Sequence, residues 1–250
     1  MGVKSKPQEK FSRLPNTAFI VVDNVGNVKT GYEPLDEKLS GGFDRGANIL
    51  LFGPPIAGKR VFARMFILTG LKSGEACIMS CTNSTAEEES RTFRRLGVDI
   101  GEFEEKGLLV YLDFHSRLIG ASVTDKPFIR RIPSIIDLAS FNVALREVLT
   151  EFHRKGLPIR LVFDSISTVM LYNPFQTVSR FLHVILGRLK SLGSTSLLLL
   201  DEGAHSPSDI VTIKGMVDAV VTIKTRNGSR YLKYESEIHN VDWMLYEVRR

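Results

Sequence analysis

The sequence is short of the residues that define several protein classes. It contains two cysteines in 250 residues, and neither has a histidine nearby in the chain. Cys77 and Cys81 lie on one apolar run at even spacing, hence on one face of a predicted strand. Two such thiols do not make a tetrahedral metal site, so we expect both to be buried and reduced.

Long apolar runs, repeats and linkers are also missing. No apolar stretch is long enough to span a bilayer, and the segment Met1–Lys10 is polar rather than an apolar secretory signal. We therefore expect a cytoplasmic protein with no membrane contact. The absence of internal repeats, low-complexity segments and Pro/Ser-rich linkers favours one domain, predicted over residues 18–250 after a flexible basic tail at 1–17.

The composition is that of an ordinary globular protein. Hydrophobic residues make up 43% of the chain and charged residues 24%, which suits one large α/β domain. The net charge of +5 permits an acidic partner, although a solvated basic surface explains it equally well.

One stretch carries a strong functional signal. The apolar run Asn48–Phe52 is followed by a glycine-bounded turn, a lysine and an amphipathic helical run from Val61 to Leu71. This is the form of a P-loop, in which backbone N–H groups and a helix N-terminus surround phosphate and the lysine reaches the terminal phosphates. The predicted nucleotide-binding residues are Gly53, Pro54, Pro55, Ile56, Ala57, Gly58, Lys59, Arg60 and Val61.

The P-loop pattern departs from G-x-x-x-x-G-K-[ST] at its last position. A hydroxyl is expected there to hold Mg²⁺, and this chain has Arg60. The guanidinium has two alternative roles. It binds phosphate and replaces part of the metal's charge, or it fills the phosphate pocket and pairs with Asp164, closing it.

The remaining pattern predicts an α/β fold with a mostly parallel central sheet flanked by helices and a C-terminal antiparallel hairpin. Short apolar strands alternate with helices up to residue 201, and Asn227-Gly228 is a hairpin turn signal. Strands are predicted at 18–22, 48–52, 76–80, 108–113, 160–164, 196–201, 218–224, 229–234 and 242–248. Helices are predicted within 30–43 and at 61–71, 84–97, 133–153 and 178–192, with a loop over 114–131.

Several segments together resemble the RecA/KaiC-like family of ATPases, particularly its small archaeal single-domain members. The resemblance covers roughly Lys29 to Val248. The segments are the lead-in Thr30–Gly46, similar to T-G-x-x-x-L-D-x-x-L-x-G-G-x-x-x-G, the P-loop, the step Leu96–Asp99, the Walker B-like strand Leu161–Ser165, and the closing segment His239–Val248 with Trp243.

This resemblance implies a RecA-like P-loop NTPase core that binds ATP or ADP between subunits of a homo-oligomer or of a hetero-oligomer with related ATPases. Lys59 would hold phosphate, and Asp164 would hold Mg²⁺ through water. A glutamate at the tip of the second core strand would polarise the attacking water. Basic residues from a neighbour's C-terminal hairpin would complete the site, and Lys233 is the candidate here.

The chain departs from this scheme beyond Arg60. The acids expected after the second core strand fall on Asn83 and Ser84, and the hairpin's K-x-R becomes Lys233-Tyr234-Glu235. Neither Asn83 nor Ser84 can act as a carboxylate base.

Two groups of displaced acids are alternative catalytic candidates. Glu87 begins the Glu87–Glu89 cluster, about one helical turn after the expected position, and Glu202 follows Asp201 in an hhhhDE strand. Each acid also has a structural explanation, as a strand-end residue for Glu202 and as a helix-start residue for Glu87, where we favour the helix start.

We therefore predict a nucleotide-binding protein with weak or no hydrolysis that acts as a regulatory or assembly subunit. The alternatives are an active ATPase and a DNA-binding recombinase paralogue. Loops 170–177 and 203–212 hold no Lys or Arg, which argues against nucleic acid there. The pairs Arg94-Arg95, Arg130-Arg131 and Arg249-Arg250 are the other candidate basic patch.

Overall fold

A computed structural model describes residues 26–122 and 124–247. The strands are β1 Asn27–Val28, β2 Phe43–Asp44, β3 Asn48–Gly53, β4 Ala76–Cys81, β5 Leu109–Asp113, β6 Ile129–Arg131, β7 Ile159–Asp164, β8 Thr195–Asp201, β9 Ala219–Arg226, β10 Ser229–Ser236 and β11 Asn240–Leu245. The helices are α1 Glu33–Lys38, α2 Lys59–Lys72, α3 Ala86–Arg95, α4 Gly101–Glu105, α5 His115–Leu118, α6 Leu138–Arg154, α7 Ile166–Tyr172, α8 Phe175–Ser191 and α9 Pro207–Lys214.

The strands form a nine-stranded sheet in the order β11-β10-β9-β3-β8-β7-β4-β5-β6, beside a small β1-β2 pair. Pairing is parallel from β9 through β6 and antiparallel from β9 through β10 to β11. The predicted α/β class, the mostly parallel sheet and the C-terminal antiparallel hairpin are confirmed. The P-loop strand β3 lies between β9 and β8, and β8 separates it from β7.

Helices cover both faces of the sheet, as the continuous apolar strands require. In β3, Ile49 and Leu51 belong to the core that contains Phe62 and Phe66 of α2. The alternate residues Leu50 and Phe52 belong to a second core, which contains residues of α6 and α8. Alternate residues of this fully buried strand therefore pack into two different cores, one on each face of the sheet.

Local signals account for several boundaries. Helix α3 begins after Thr85, whose side chain accepts from the Glu88 N–H, while the Glu88 carboxylate accepts from the Thr85 N–H. This is a capping box. The β9–β10 turn places Asn227 and Gly228 at positive φ, as the Asn-Gly signal predicts.

Other boundaries differ from the sequence predictions. The predicted loop 114–131 contains α5 and β6, and the predicted loops 170–177 and 203–212 contain parts of α7, α8 and α9. Ser165 and Ser206 cap α7 and α9 through their side chains. Helix α6 begins at Leu138 rather than near Pro133, because Asp137 caps it by accepting from the Ser140 N–H.

Cys77 and Cys81 are buried and free of disulfide bonds, as predicted. Both belong to the core that contains α2. The predicted strand 18–22, the tail 1–17 and the pair Arg249-Arg250 lie outside the described residues. Within the described part of the chain, no helix is long and apolar enough to cross a membrane.

Candidate functional site

The loop between β3 and α2 has the P-loop geometry that the sequence predicts. Gly58 adopts φ 99° immediately before α2, a left-handed conformation that favours glycine. Gly53 serves a different purpose from the one inferred, because its φ is not positive. An added Cβ there would lie 2.4 Å from the Ile223 carbonyl oxygen, so Gly53 permits close packing of β3 against β9.

Lys59 is buried at the start of α2 and its ammonium is fully engaged. Its Nζ donates to the carbonyl oxygens of Gly53 and Pro54, each at 2.6 Å. It also lies 2.8 Å from Asp201 Oδ1. An ammonium has three donors, so these three acceptors use all of them.

Arg60 makes an ion pair with the acid at the end of β7. Its Nε lies 2.8 Å from Asp164 Oδ2, with Asp164 buried and 45% of the Arg60 side chain exposed. Burial raises the pKa of Asp164 to about 6, and the Arg60 charge opposes this rise without cancelling it. Pairing with Asp164 is one part of the second role considered for Arg60; the other part, closure of the pocket, depends on the space that remains beside the pair.

A second ion pair fills the space beside Asp164. Arg64, one turn along α2, binds Glu89 of α3 through two bonds, Nε–Oε2 at 2.9 Å and Nη2–Oε1 at 3.0 Å. Ser84 donates to the same Glu89 carboxylate at 2.6 Å. At the tip of β4, Asn83 Oδ1 accepts from the Thr168 hydroxyl at 2.8 Å. The position expected for a catalytic carboxylate therefore holds an amide and a hydroxyl, both hydrogen-bonded within the protein.

A cavity of about 460 Å³ lies over the P-loop. This volume falls within the range of ordinary small-molecule sites, so the Arg60–Asp164 pair leaves the pocket open. Its lining consists of Pro55, Ile56, Gly58, Lys59, Arg60, Val61, Asp164, Ser165, Leu199, Asp201 and Arg230.

The displaced acids proposed as substitute bases are not in this cavity lining. Glu87 lies 2.5 Å from Arg131 Nη2, and this contact helps lower the pKa of Glu87 against the opposing effect of burial. Glu202 is exposed, and its backbone N–H donates to the Gly53 carbonyl. The acid of that strand that faces the P-loop is Asp201.

From the sequence, Asp201 is recognised only as part of the hhhhDE strand, with Glu202 as the candidate, and Arg230 is not identified. β8 is the neighbour of β3, and Asp201 is directly opposite Gly53 in their register. Asp201 therefore lies beside the P-loop. Arg230, near the start of β10, belongs to the cavity lining, whereas Lys233 does not. The available signal was the acid-terminated strand for Asp201, and nothing local marked Arg230.

Lys233, the candidate for a trans contact, is paired within its own strand. Its Nζ lies 2.8 Å from Glu235 Oε1, and this neighbour raises the pKa of Lys233. Glu235, which stands where the K-x-R motif has its arginine, therefore forms an ion pair with Lys233 and compensates its charge.

The C-terminal segment contacts the P-loop through an aromatic residue other than Trp243. Tyr246 Oη donates to the Gly58 carbonyl at 3.2 Å. Its ring packs edge-on against Tyr32, whose own hydroxyl donates to the Leu245 carbonyl at 2.8 Å. Trp243 is partly exposed and lies beneath Lys224. Tyr246 thus links the closing segment to the turn that precedes α2.

The candidate basic patch loses one of its members. The Arg131 side chain is only 5% exposed and binds Asp113 at 3.0 Å as well as Glu87. Its charge is compensated inside the protein and is not presented to a nucleic acid backbone.

The residues at the strand ends do not fit a Mg²⁺ ion. Magnesium requires oxygen ligands in near-octahedral geometry. The position of the expected hydroxyl holds a guanidinium, which has only donors, and its charge already compensates Asp164.

Comparison with known proteins agrees with this architecture. The KaiC ATPase family matches residues 28–238. A UPF0273 protein from Pyrococcus horikoshii is 30% identical over 173 residues, covering 69% of this chain and 67% of its own length. A UPF0273 protein from Thermotoga maritima is 30% identical over 177 residues, covering 70% and 69%.

A solved structure supports the fold. The crystal structure of a KaiC-like protein from Pyrococcus horikoshii superimposes with a TM-score of 0.67 at 22% identity, covering 89% of this chain and 93% of that one. At that identity the likeness concerns the fold alone. The family match spans most of the sequence and includes the whole P-loop. The chain therefore belongs to the KaiC-like family of RecA-type ATPase domains.

Proposed function

We propose that this protein binds ATP or ADP at its P-loop without Mg²⁺, hydrolyses it weakly or not at all, and acts as a regulatory or assembly subunit. The observation that carries this proposal is the 2.8 Å ion pair between Arg60 and Asp164. It places a positive charge where the family uses a metal, and a guanidinium also binds phosphate well.

Nucleotide binding is supported by the parts of the site that are intact. The turn 54–58 leads into the 14-residue helix α2, and Lys59 lies at its first position. Backbone N–H groups and a helix N-terminus favour an anion irrespective of any metal. The cavity above them remains open.

Loss of hydrolysis is supported by the parts that are missing. General base assistance contributes roughly 10²–10⁴-fold to a rate, and an arginine supplied in trans roughly 10³–10⁵-fold. Asn83 and Ser84 replace the base, and Glu235 occupies the position of the trans arginine. Losing both contributions together with the metal leaves little turnover.

Calorimetric titration of the full chain tests the proposal. ATP and ADP are titrated with EDTA and again with Mg²⁺, and phosphate release is followed in parallel. We expect the native chain to bind at least one nucleotide in the presence of EDTA. Mg²⁺ should not increase the affinity, and phosphate release should be negligible. Lys59→Ala should abolish binding, and Arg60→Thr, which restores a hydroxyl and frees Asp164, should make binding depend on Mg²⁺.

Arg95→Thr is the matched control. Arg95 is exposed at the end of α3 and does not line the cavity, so its variant should bind as the native chain does. Mg²⁺-dependent binding with phosphate release by the native chain would contradict the proposal.

A further inference from the structure

The charges around the cavity are arranged in pairs. Three cations line it, namely Lys59, Arg60 and Arg230, together with two carboxylates, Asp164 and Asp201. Each carboxylate lies 2.8 Å from a P-loop cation. Three positive and two negative charges leave the lining with a net charge of +1, which is small for a site that would hold a highly charged polyphosphate.

The two carboxylates mark one end of the cavity. Asp164 ends β7 and Asp201 ends β8, and these strands are parallel neighbours. Their carboxyl ends therefore meet at the same edge of the sheet. The lysine of a P-loop reaches the β- and γ-phosphates, so a carboxylate bonded to that lysine borders the space beyond the β-phosphate.

Asp201 is held in this position by the fold. Its backbone N–H donates to Ser167 Oγ at 2.8 Å, which ties the end of β8 to α7. Lys59 holds its carboxylate from the other side. About a third of the Asp201 side chain is exposed, on the side of the cavity.

The positions of these charged groups affect a diphosphate and a triphosphate ligand differently. In a P-loop the backbone N–H groups and the helix N-terminus bind the α- and β-phosphates, so the loop 54–58 and the N-terminus of α2 would receive those two phosphates here. A third phosphate would bring further negative charge against Asp201 and Asp164. In the family such a charge is offset by Mg²⁺; here Arg60 occupies that position with a single charge, which Asp164 already compensates.

We propose that this cavity takes a metal-free nucleoside diphosphate in preference to the triphosphate, and that Asp201 sets the preference. The inference rests on the function proposed above and adds the class of ligand. Repulsion between like charges a few ångströms apart, reduced by solvent on the open side, favours the diphosphate by on the order of tenfold to a hundredfold.

Calorimetry of the full chain with ADP and with ATP, both in EDTA, tests the preference. We expect ADP to bind the native chain at least about tenfold more tightly than ATP, since one repulsive contact is absent. Asp201→Asn keeps the shape and removes the charge, so it should reduce this ratio, chiefly by tightening ATP. Glu147→Gln removes an exposed charge on α6, outside the cavity lining, and should leave the ratio unchanged.

A second measurement needs no variant. Inorganic pyrophosphate and tripolyphosphate, each in EDTA, are compared as competitors of bound ADP, and we expect pyrophosphate to compete better. Equal affinity of the native chain for ADP and ATP, or a ratio that Asp201→Asn leaves unchanged, would overturn the diphosphate preference while leaving nucleotide binding intact. If neither nucleotide binds in EDTA, the proposed function fails and the preference with it.

Discussion

Strand β7 has an arginine–carboxylate pair at each end, and the two pairs differ in enclosure. Near its start, Arg160 pairs with Glu75 at the amino ends of the parallel strands. At its end, Asp164 pairs with Arg60 over the cavity. Arg160 is only 2% exposed, whereas nearly half of the Arg60 side chain meets solvent.

The Arg160 pair is nearly enclosed, with 2% of the Arg160 side chain and 7% of the Glu75 side chain exposed, and Glu75 also lies 3.0 Å from Arg45 Nη2. Arg160 Nη1 donates to the carbonyl oxygens of Lys29 at 2.7 Å and Phe66 at 2.9 Å, and the guanidinium lies 4.6 Å from the centre of the Phe66 ring. Gly70 gives it room, since an added Cβ would lie 2.5 Å from Arg160 Cδ. Both charges of the pair therefore have little access to water.

The Arg60 pair has one enclosed partner and one that can leave. Asp164 is buried, but the guanidinium can move into the cavity or into solvent. The same chemistry therefore stabilises the fold at one end of β7 and remains exchangeable for a ligand at the other. Exposure of one partner, rather than the presence of an ion pair, distinguishes the site from the scaffold.

The largest expected effect comes from breaking the enclosed pair. Glu75→Gln leaves Arg160 and Arg45 without the carboxylate they share, and losing one partner of a buried pair costs about 3–5 kcal/mol. Guanidinium chloride unfolding should show this loss in the free energy of unfolding. Glu151→Gln breaks an exposed pair between α6 and Lys155, the residue that follows it, and should change the free energy of unfolding by no more than about 0.5 kcal/mol.

Similar losses for these two variants would contradict the distinction. So would a normal stability of Glu75→Gln, because it would mean that Arg160 finds another partner at no cost.

The next effect concerns Asp164 and appears as a dependence on pH. Its folded pKa is raised to about 6 by burial, against about 3.9 in an unfolded chain. A carboxyl group whose pKa is raised in the folded state contributes its full stabilisation below pH 3.9. This contribution is lost as the pH rises through 6. Relative to Asp164→Asn, which does not titrate, the native free energy of unfolding should fall by about 2–3 kcal/mol between pH 4 and 7.

Urea unfolding of both proteins at each pH measures this difference. Asp137→Asn is a control of opposite sign, because hydrogen bonds from Ser140 lower the pKa of Asp137 at the start of α6. Its carboxylate stabilises the fold above its unfolded pKa, and the contribution is lost as the pH falls. If the difference in free energy of unfolding between native and Asp164→Asn does not change with pH, pairing with Arg60 fully offsets the cost of burying the Asp164 carboxylate.

The two regions also differ in how far the sequence predicts them. The P-loop was predicted because its strand, turn, lysine and helix are contiguous from 48 to 72, and the parallel sheet followed from strands separated by helices. The pair Arg160–Glu75 joins residues 85 positions apart. No local pattern specifies such a contact, since it depends on the pairing of β4 with β7, which places Cys77 opposite Arg160, with Glu75 just before β4.

Asp201 shows the same limit within the site. The hhhhDE strand was recognised, but the choice between Asp201 and Glu202 depends on which side chain faces β3. That follows from the order of strands, with β8 between β3 and β7. Arg230 reaches the cavity only because the C-terminal hairpin joins the sheet beside β3. Both residues required the topology rather than the motif.

The smallest expected effect lies in the P-loop itself. Ile56 adopts φ 63° with its side chain 93% exposed. A left-handed backbone costs a β-branched residue about 1–2 kcal/mol, and little burial repays it here. Ile56→Gly should therefore raise the free energy of unfolding by about 0.5–1 kcal/mol, after the greater entropy of an unfolded glycine is deducted.

Chemical unfolding compared with Ile136→Gly gives the sign. Ile136 is also an exposed isoleucine outside regular structure, but its φ is not positive. Glycine at position 136 relieves no backbone strain, and it should lower the free energy of unfolding by about 0.5–1 kcal/mol. If both variants lose stability equally, the loop is not strained at Ile56. If only Ile56→Gly gains, backbone strain is concentrated at the cavity end of the sheet, the same end at which Arg60 remains free to exchange partners.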